Sequence, residues 1–135
     1  MIRPEDAPQV ARLIRSMRYP NDDSPPTDRQ LDMVRKNPLR IVIEQDGQVV
    51  STASTNGIGL RAFQILAVVT HPAHRRRGHA RALCAALMRR MRAQGAVRCA
   101  LFTDVKNTPA QRCYESLGFR VTGDYAVTSL KRKQD

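Results

Sequence analysis

The sequence predicts an α/β fold, a mixed sheet with helices on both of its faces. Three observations carry that expectation. The apolar segment Ala62 to Thr70 is followed by a helical pattern from about Gly78 to Gln94, then by a second strand pattern from Val97 to Asp104. Strand, helix and strand in that order make a right-handed βαβ unit with a parallel strand pair. Upstream, the apolar runs Leu39 to Glu44 and Val49 to Ser54 flank Gln45-Asp46-Gly47-Gln48. Asp-Gly between two such runs signals a hairpin, so this part of the sheet is antiparallel. Finally, 135 residues, 41% of them hydrophobic, supply one core, and a single domain over residues 1–135 is expected.

Each element follows from local pattern. Val10, Leu13, Ile14 and Met17 recur at helical spacing behind Asp6, a candidate N-cap, so Ala7 to about Arg18 reads as an amphipathic helix. Residues 19–26 are polar and Pro-rich, a loop. Thr27 can cap a short helix through Lys36, with Leu31 and Val34 inward. Asn56-Gly57 and Gly59 mark a turn after the second strand. In Ala62 to Thr70 both alternating faces are largely apolar, which predicts a central strand covered on both sides. In the long helix Ala80, Leu83, Cys84, Leu87 and Met91 form one stripe, and Gly95 stops it. Asn107 or Thr108 opens another helix, with Pro109 in its first turn, and Gly118 closes it. Residues 119–122 and 125–130 form a last strand pair, and 131–135 a frayed tail.

Composition excludes several classes. No apolar run approaches the roughly 20 residues of a membrane helix, and the N-terminus lacks the apolar stretch of a signal peptide. Cys84, Cys99 and Cys113 are odd in number and widely spaced, which fits a reducing, cytoplasmic setting. No spacing of His71, His74, His79 and Cys84 matches a standard zinc pattern, so no metal is expected. The net charge is +11 and uneven: residues 1–67 hold nine Lys/Arg against eight Asp/Glu, and residues 68–135 hold fourteen against four. Such a field implies an anionic partner, unless it is a solvated basic face. A nucleic-acid module is disfavoured, since there is no Trp and aromatics are only 4% of the chain.

Chemistry concentrates in Arg75-Arg76-Arg77-Gly78-His79-Ala80, between an apolar strand and the first turn of a helix. A helix start offers free amide donors and partial positive charge, and Gly78 and Ala80 let an anion approach the backbone. With three arginines beside it, the turn suits a pyrophosphate.

These residues resemble the acetyl-CoA signature of the GNAT N-acetyltransferases. Arg75-x-x-Gly78-x-Ala80 fits its Arg/Gln-x-x-Gly-x-Gly/Ala pattern, with His71-Pro72 upstream. Asn107-x-x-Ala110-x-x-x-Tyr114-x-x-Leu117-Gly118-Phe119 is similar to the family's second motif, in the right order and separation. The opening Ile2-Arg3-Pro4-Glu5-Asp6 resembles the family's first strand running into its first helix, with the strand truncated or absent. The resemblance implies a GNAT-like mixed, mostly antiparallel sheet and transfer of the acetyl group of acetyl-CoA to a small-molecule or peptide amine by direct attack. It implies that Val68, Val69 and Thr70 bond the pantetheine arm through their backbone. It implies that Arg75, Arg76, Arg77, Gly78, His79, Ala80 and Arg81 hold the pyrophosphate, that Asn107 contacts the arm, and that Tyr114 is the general acid.

Plainer readings stand beside these. Tyr114 shares a helical stripe with Ala110, Cys113 and Leu117, which by spacing alone is core; Asn107 can be only an N-cap. The family's strand carboxylate has no counterpart between Ala62 and Thr70, where the chain offers Gln64, so Glu44, Asp104 or water is left as the base. A silent CoA-binding sensor is the alternative function. A homodimer is compatible with the sequence.

Overall fold

The computed structural model describes residues 3–17, 19–37, 39–59, 61–102, 107–121 and 125–129. Helix α1 is Ala7–Ser16, α2 Asp28–Arg35, α3 His79–Ala93 and α4 Thr108–Ser116. The strands are β1 Ile41–Gln45, β2 Gln48–Gly59, β3 Ala62–Thr70, β4 Arg98–Phe102, β5 Arg120–Val121 and β6 Tyr125–Ser129. They are hydrogen-bonded in the order β1-β2-β3-β4-β6-β5. β1–β2, β4–β6 and β5–β6 are antiparallel, while β3–β4 is parallel, as the βαβ reading requires. The architecture is the expected mixed, mostly antiparallel sheet flanked by helices. Among the described residues no strand precedes α1; a 3₁₀ turn, Pro4–Asp6, leads into it.

The chain divides into two compact units, Met1–Ser54 with Ala67–Leu83, and Thr55–Leu66 with Cys84–Asp135. In the first, α1 and α2 pack on each other. They bury Ala7, Val10, Ala11, Leu13 and Val34 with Val49 of β2 and Val69 of β3. Each valine or leucine side chain among them removed from water contributes on the order of 2 kcal/mol, and each alanine methyl less. In the second, Phe63, Ile65, Cys84, Leu87, Cys99, Leu101 and Phe119 are buried, and α4 packs on β5.

Local chemistry explains most boundaries. Asp46 (φ 54°) and Gly47 (φ 79°) are both left-handed, the geometry of a two-residue type I′ hairpin turn. Thr27 makes a full capping box: its Oγ1 accepts from Gln30 N at 3.2 Å and Gln30 Oε1 accepts from Thr27 N at 2.9 Å. Gly95 (φ 98°) ends α3.

Three expectations need correction. Asp6 does not cap α1; its backbone is already helical and its carboxylate is held by Arg3 at 3.2 and 3.3 Å. β2 runs straight through Asn56-Gly57 to Gly59, so the turn falls later, at left-handed Arg61 (φ 60°). Strand pairing overrides the local turn preference there. β4 starts at Arg98, leaving Val97 half exposed, because the amides of Val97 and Arg98 both donate to Arg61 O, at 2.7 and 3.3 Å.

Candidate active site

β3 delivers the first group of site residues. Its parallel register with β4 runs from Ala62↔Arg98 to Ile65↔Leu101. Two residues further on, Ala67 takes φ 50°, a left-handed conformation unusual inside a strand and costing an alanine roughly 1–2 kcal/mol. The strand is thus re-aimed just before Val68, Val69 and Thr70. Ser51 of β2 fastens that segment: its Oγ donates to Val69 O at 3.0 Å and lies 2.8 Å from Thr70 Oγ1. His71 N donates to Val50 O at 2.7 Å.

The basic turn follows directly. His71 Nδ1 accepts from Ala73 N at 3.1 Å and starts the 3₁₀ turn Pro72–His74. Arg75 reaches back, its Nε donating to Thr70 O at 3.3 Å. Arg76 (φ 65°) and Gly78 (φ 79°) are both left-handed. Left-handed residues alternating with ordinary ones turn successive amides to one side, the concave arrangement that binds anions. A Cβ placed on Gly78 meets nothing within 4 Å, so the turn opens onto free space. α3 starts at His79, and Ala82 N makes an early helical bond, to Gly78 O at 3.0 Å. The amides ahead of it have no partner within the helix. Arg75, Arg76, Arg77 and Arg81 are exposed; His79 and Ala80 are half-buried.

Two histidines add to the turn's character. His79 Nε2 is buried and has no hydrogen-bond partner. His74 Nδ1 lies 3.0 Å from Gln45 Oε1 and 3.4 Å from Arg77 Nη1. Slight burial, then the positive charge of Arg77, lowers the His74 pKa. An orphaned buried nitrogen, an open amide-lined turn and exposed guanidinium groups fit a phosphorylated ligand.

The structure therefore joins Val68, Val69 and Thr70 to Arg75–Arg81 in one continuous stretch. Asn107 and Tyr114 lie in the second unit, at the start and in the last turns of α4. The Asn107 side chain accepts from Ala110 N at 3.2 Å, so the capping role is real. Tyr114 is 7% exposed, its ring edge-on to Phe119 at 6.0 Å. Burial, and to a lesser extent Cys84 and Cys113, push its phenol pKa well above the ordinary tyrosine value. At neutral pH the hydroxyl carries its proton.

Other candidates fall differently. Glu44 is ion-paired with Arg3 at 2.6 Å, so its carboxylate is already engaged. Gln64 is half-buried on β3; Asp104 lies outside the described residues. Among those residues no cluster of His, Cys, Asp or Glu could hold a metal ion. None of the described helices is long and apolar enough to cross a membrane. Sequence reasoning missed Ala67 and Ser51, since neither alanine nor serine within a strand pattern signals a bend or its fastening.

Comparison with known proteins agrees with this fold. The model of the Acetyltransferase (GNAT) family matches residues 7–119. Among solved structures, the chain is similar to yncA of Salmonella typhimurium with its cofactor acetyl-CoA, at 20% identity and TM-score 0.81, covering 99% of this chain and 94% of that one. The ribosomal-protein-S18-alanine N-acetyltransferase of Escherichia coli is 17% identical, with TM-score 0.74 and coverage of 97% and 92%. A GNAT family acetyltransferase of Brucella melitensis in complex with acetyl-CoA is 21% identical, with TM-score 0.70 and coverage of 97% and 86%. No curated protein matches the chain by sequence.

Proposed function

Because the chain belongs to the GNAT acetyltransferase family, we propose that it transfers the acetyl group of acetyl-CoA to a primary amine, acting as one domain over residues 1–135. The observation that carries this reading is the open turn with left-handed Arg76 and Gly78 between β3 and α3. Its amides, with Arg75, Arg76, Arg77, His79, Ala80 and Arg81, hold the pyrophosphate. The re-aimed segment Val68–Thr70 offers backbone groups to the pantetheine arm, and Asn107 supplies a contact near the thiol. Acetyl-CoA brings an activated thioester. The amine nitrogen bonds to its carbonyl carbon, the carbon–sulfur bond breaks, and the sulfur leaves with a proton. Tyr114, protonated at neutral pH, supplies that proton, and its phenolate takes one back from water. A backbone amide of β3 polarises the carbonyl. The proton lost by the amine passes to water. Cys84, Cys99 and Cys113, none in a disulfide, fit the reducing environment of a cytoplasm.

The test has two readouts on one sample. Acetyl-CoA should raise the melting temperature of folded, ligand-free protein, because it binds the native state selectively. A panel of primary amines should then yield amine-dependent release of CoA thiol. No thermal shift at saturating acetyl-CoA would reject the reading; a shift without thiol release for any amine would leave a CoA-binding protein instead of an enzyme.

A further inference from the structure

Arg40, immediately before β1, is an arginine in an unusual position. It is only 6% exposed. Its Nη1 donates to Thr52 Oγ1 at 3.2 Å, while its Nε is buried with no hydrogen-bond partner. Thr52 cannot neutralise it, since its own hydroxyl donates onward to Ile41 O at 2.8 Å. Among the described residues no carboxylate pairs with this guanidinium: Asp6 and Glu44 are both bound to Arg3, and Asp22 lies beside Arg15. Burial alone pushes its pKa down, to about 10, and no acid opposes the shift. The group is still charged at neutral pH. An unpaired buried charge is among the costliest groups a fold can hold, and a native chain that retains one calls for an explanation.

The surroundings point to a ligand. β1 and β2 pair with Ile41 opposite Ala53, so Arg40 stands across from Ser54. Asn37, at the end of α2, donates from Nδ2 to Ser54 Oγ at 2.7 Å and accepts from Leu39 N at 3.0 Å. Hydrogen-bonded polar groups, Thr52, Ser54 and Asn37, thus stand at this end of the β1–β2 pair. Arg40 is also placed for chemistry. Only two residues separate β2 from β3, which forces them antiparallel. Ser51 fastens Val69 and Thr70, and Thr52, the partner of Arg40, follows it directly along β2. Arg40 then lies about two strand spacings, roughly 10 Å, from β3.

We propose that Arg40 is a specificity-determining residue that receives a carboxylate carried by the acceptor amine, so that the acceptor is an amino acid or a similar amine bearing a carboxylate. The planar guanidinium fork matches a carboxylate through two parallel N–H bonds, with the orphaned Nε as one donor. This inference rests on the acetyltransferase reading and deepens it by naming the acceptor class.

The experiment uses matched pairs: the common L-amino acids and the amines left when each loses its α-carboxylate. Melting temperature is read in the presence of CoA, and thiol release is read with acetyl-CoA, for the parent, Arg40→Met and Arg40→Lys. At least one carboxylated member should stabilise the parent more than its decarboxylated twin. Its kcat/KM should exceed the twin's by roughly thirtyfold or more, the scale of a charged hydrogen-bonded pair. That ratio should collapse toward one in Arg40→Met and be partly kept in Arg40→Lys. Arg40→Met should melt no lower than the parent, because it removes an unpaired charge. Equal shifts for all twins, or a preference that survives in Arg40→Met, would overturn the proposal. So would a carboxylate preference found only on the acyl side, with succinyl-CoA and uncharged amines. If Arg40→Met fails to fold, Arg40→Lys decides: an unaltered preference there overturns it. Thiol release with any amine at all keeps the acetyltransferase reading standing independently of this outcome.

Discussion

Tyr114 and Phe119 close the end of α4 together. Phe119 N donates to Tyr114 O at 3.0 Å, and the two rings meet edge-on at 63°. The aromatic ring therefore supplies packing whatever the hydroxyl does, and the two roles separate cleanly by mutation. In Tyr114→Phe the melting temperature and acetyl-CoA affinity should stay near the parent's. Turnover at saturating substrates should fall by roughly a hundredfold or more, the usual contribution of a positioned general acid. Full turnover in folded Tyr114→Phe removes the hydroxyl from the mechanism.

Gly78 sits at φ 79° with open space where a side chain would go. A β-branched residue is strained in that conformation and projects into the region assigned to the pyrophosphate. Gly78→Val should weaken acetyl-CoA binding by roughly tenfold or more, measured by titration calorimetry. Gly78→Ala, with the same backbone strain and a smaller group, should fall between valine and the parent. Parent-like affinity in both variants would place the phosphate site elsewhere.

Asp6 gives a pH dependence of definite sign. Burial alone would raise its pKa, but hydrogen bonds and charge from Arg3 outweigh burial, and the carboxyl ends below its usual range. The folded state therefore holds the ionised form better than the unfolded chain, where Asp titrates near about 3.9. Its stabilisation is complete above that value and fades as pH falls toward the lower, folded pKa. Melting temperatures between pH 2.5 and 7 should show a shallower acid decline for Asp6→Asn than for the parent. Parallel curves would show that this pair does not couple to folding.

The cysteines should differ in reactivity. Burial pushes the Cys84 and Cys99 thiols up to about 12. That lowers their thiolate fraction by roughly a thousandfold relative to an ordinary thiol, before access is considered. Cys113 is only half-buried. Native protein treated with iodoacetamide at pH 7.5 should carry the label at Cys113 first, by peptide mass spectrometry. Equal labelling of all three would contradict the packing around α3 and β4.

Much of this architecture is readable in the chain because the signals are local. Asp46-Gly47 fixes a hairpin by its own dihedral preferences, Thr27 with Gln30 builds its own cap, and the Arg75–Ala80 turn is contiguous. What is not readable depends on partners far along the chain. Asp6 looks like a cap until Arg3 and Glu44 are seen to surround it. Asn56-Gly57 looks like a turn until strand pairing carries β2 through it. Ala67 adopts a left-handed conformation that nothing about alanine announces. Arg40 is hidden more thoroughly, since an arginine beside Leu39 and Ile41 gives no sign of being buried without a counter-charge.

The exposure of Arg75, Arg76, Arg77 and Arg81 has a kinetic consequence. Four exposed cations act on a polyanion before any contact forms, so at the proposed pyrophosphate turn they govern the encounter rate more than the bound complex. Their reach follows the ionic atmosphere: about 30 Å in 0.01 M salt, and about 8 Å at physiological strength. Capture of acetyl-CoA should thus be fast and strongly salt-sensitive in dilute buffer. Close to cellular ionic strength, dissociation would set the differences between variants of this turn, because the amides and the orphaned His79 nitrogen act at contact distance and are screened far less.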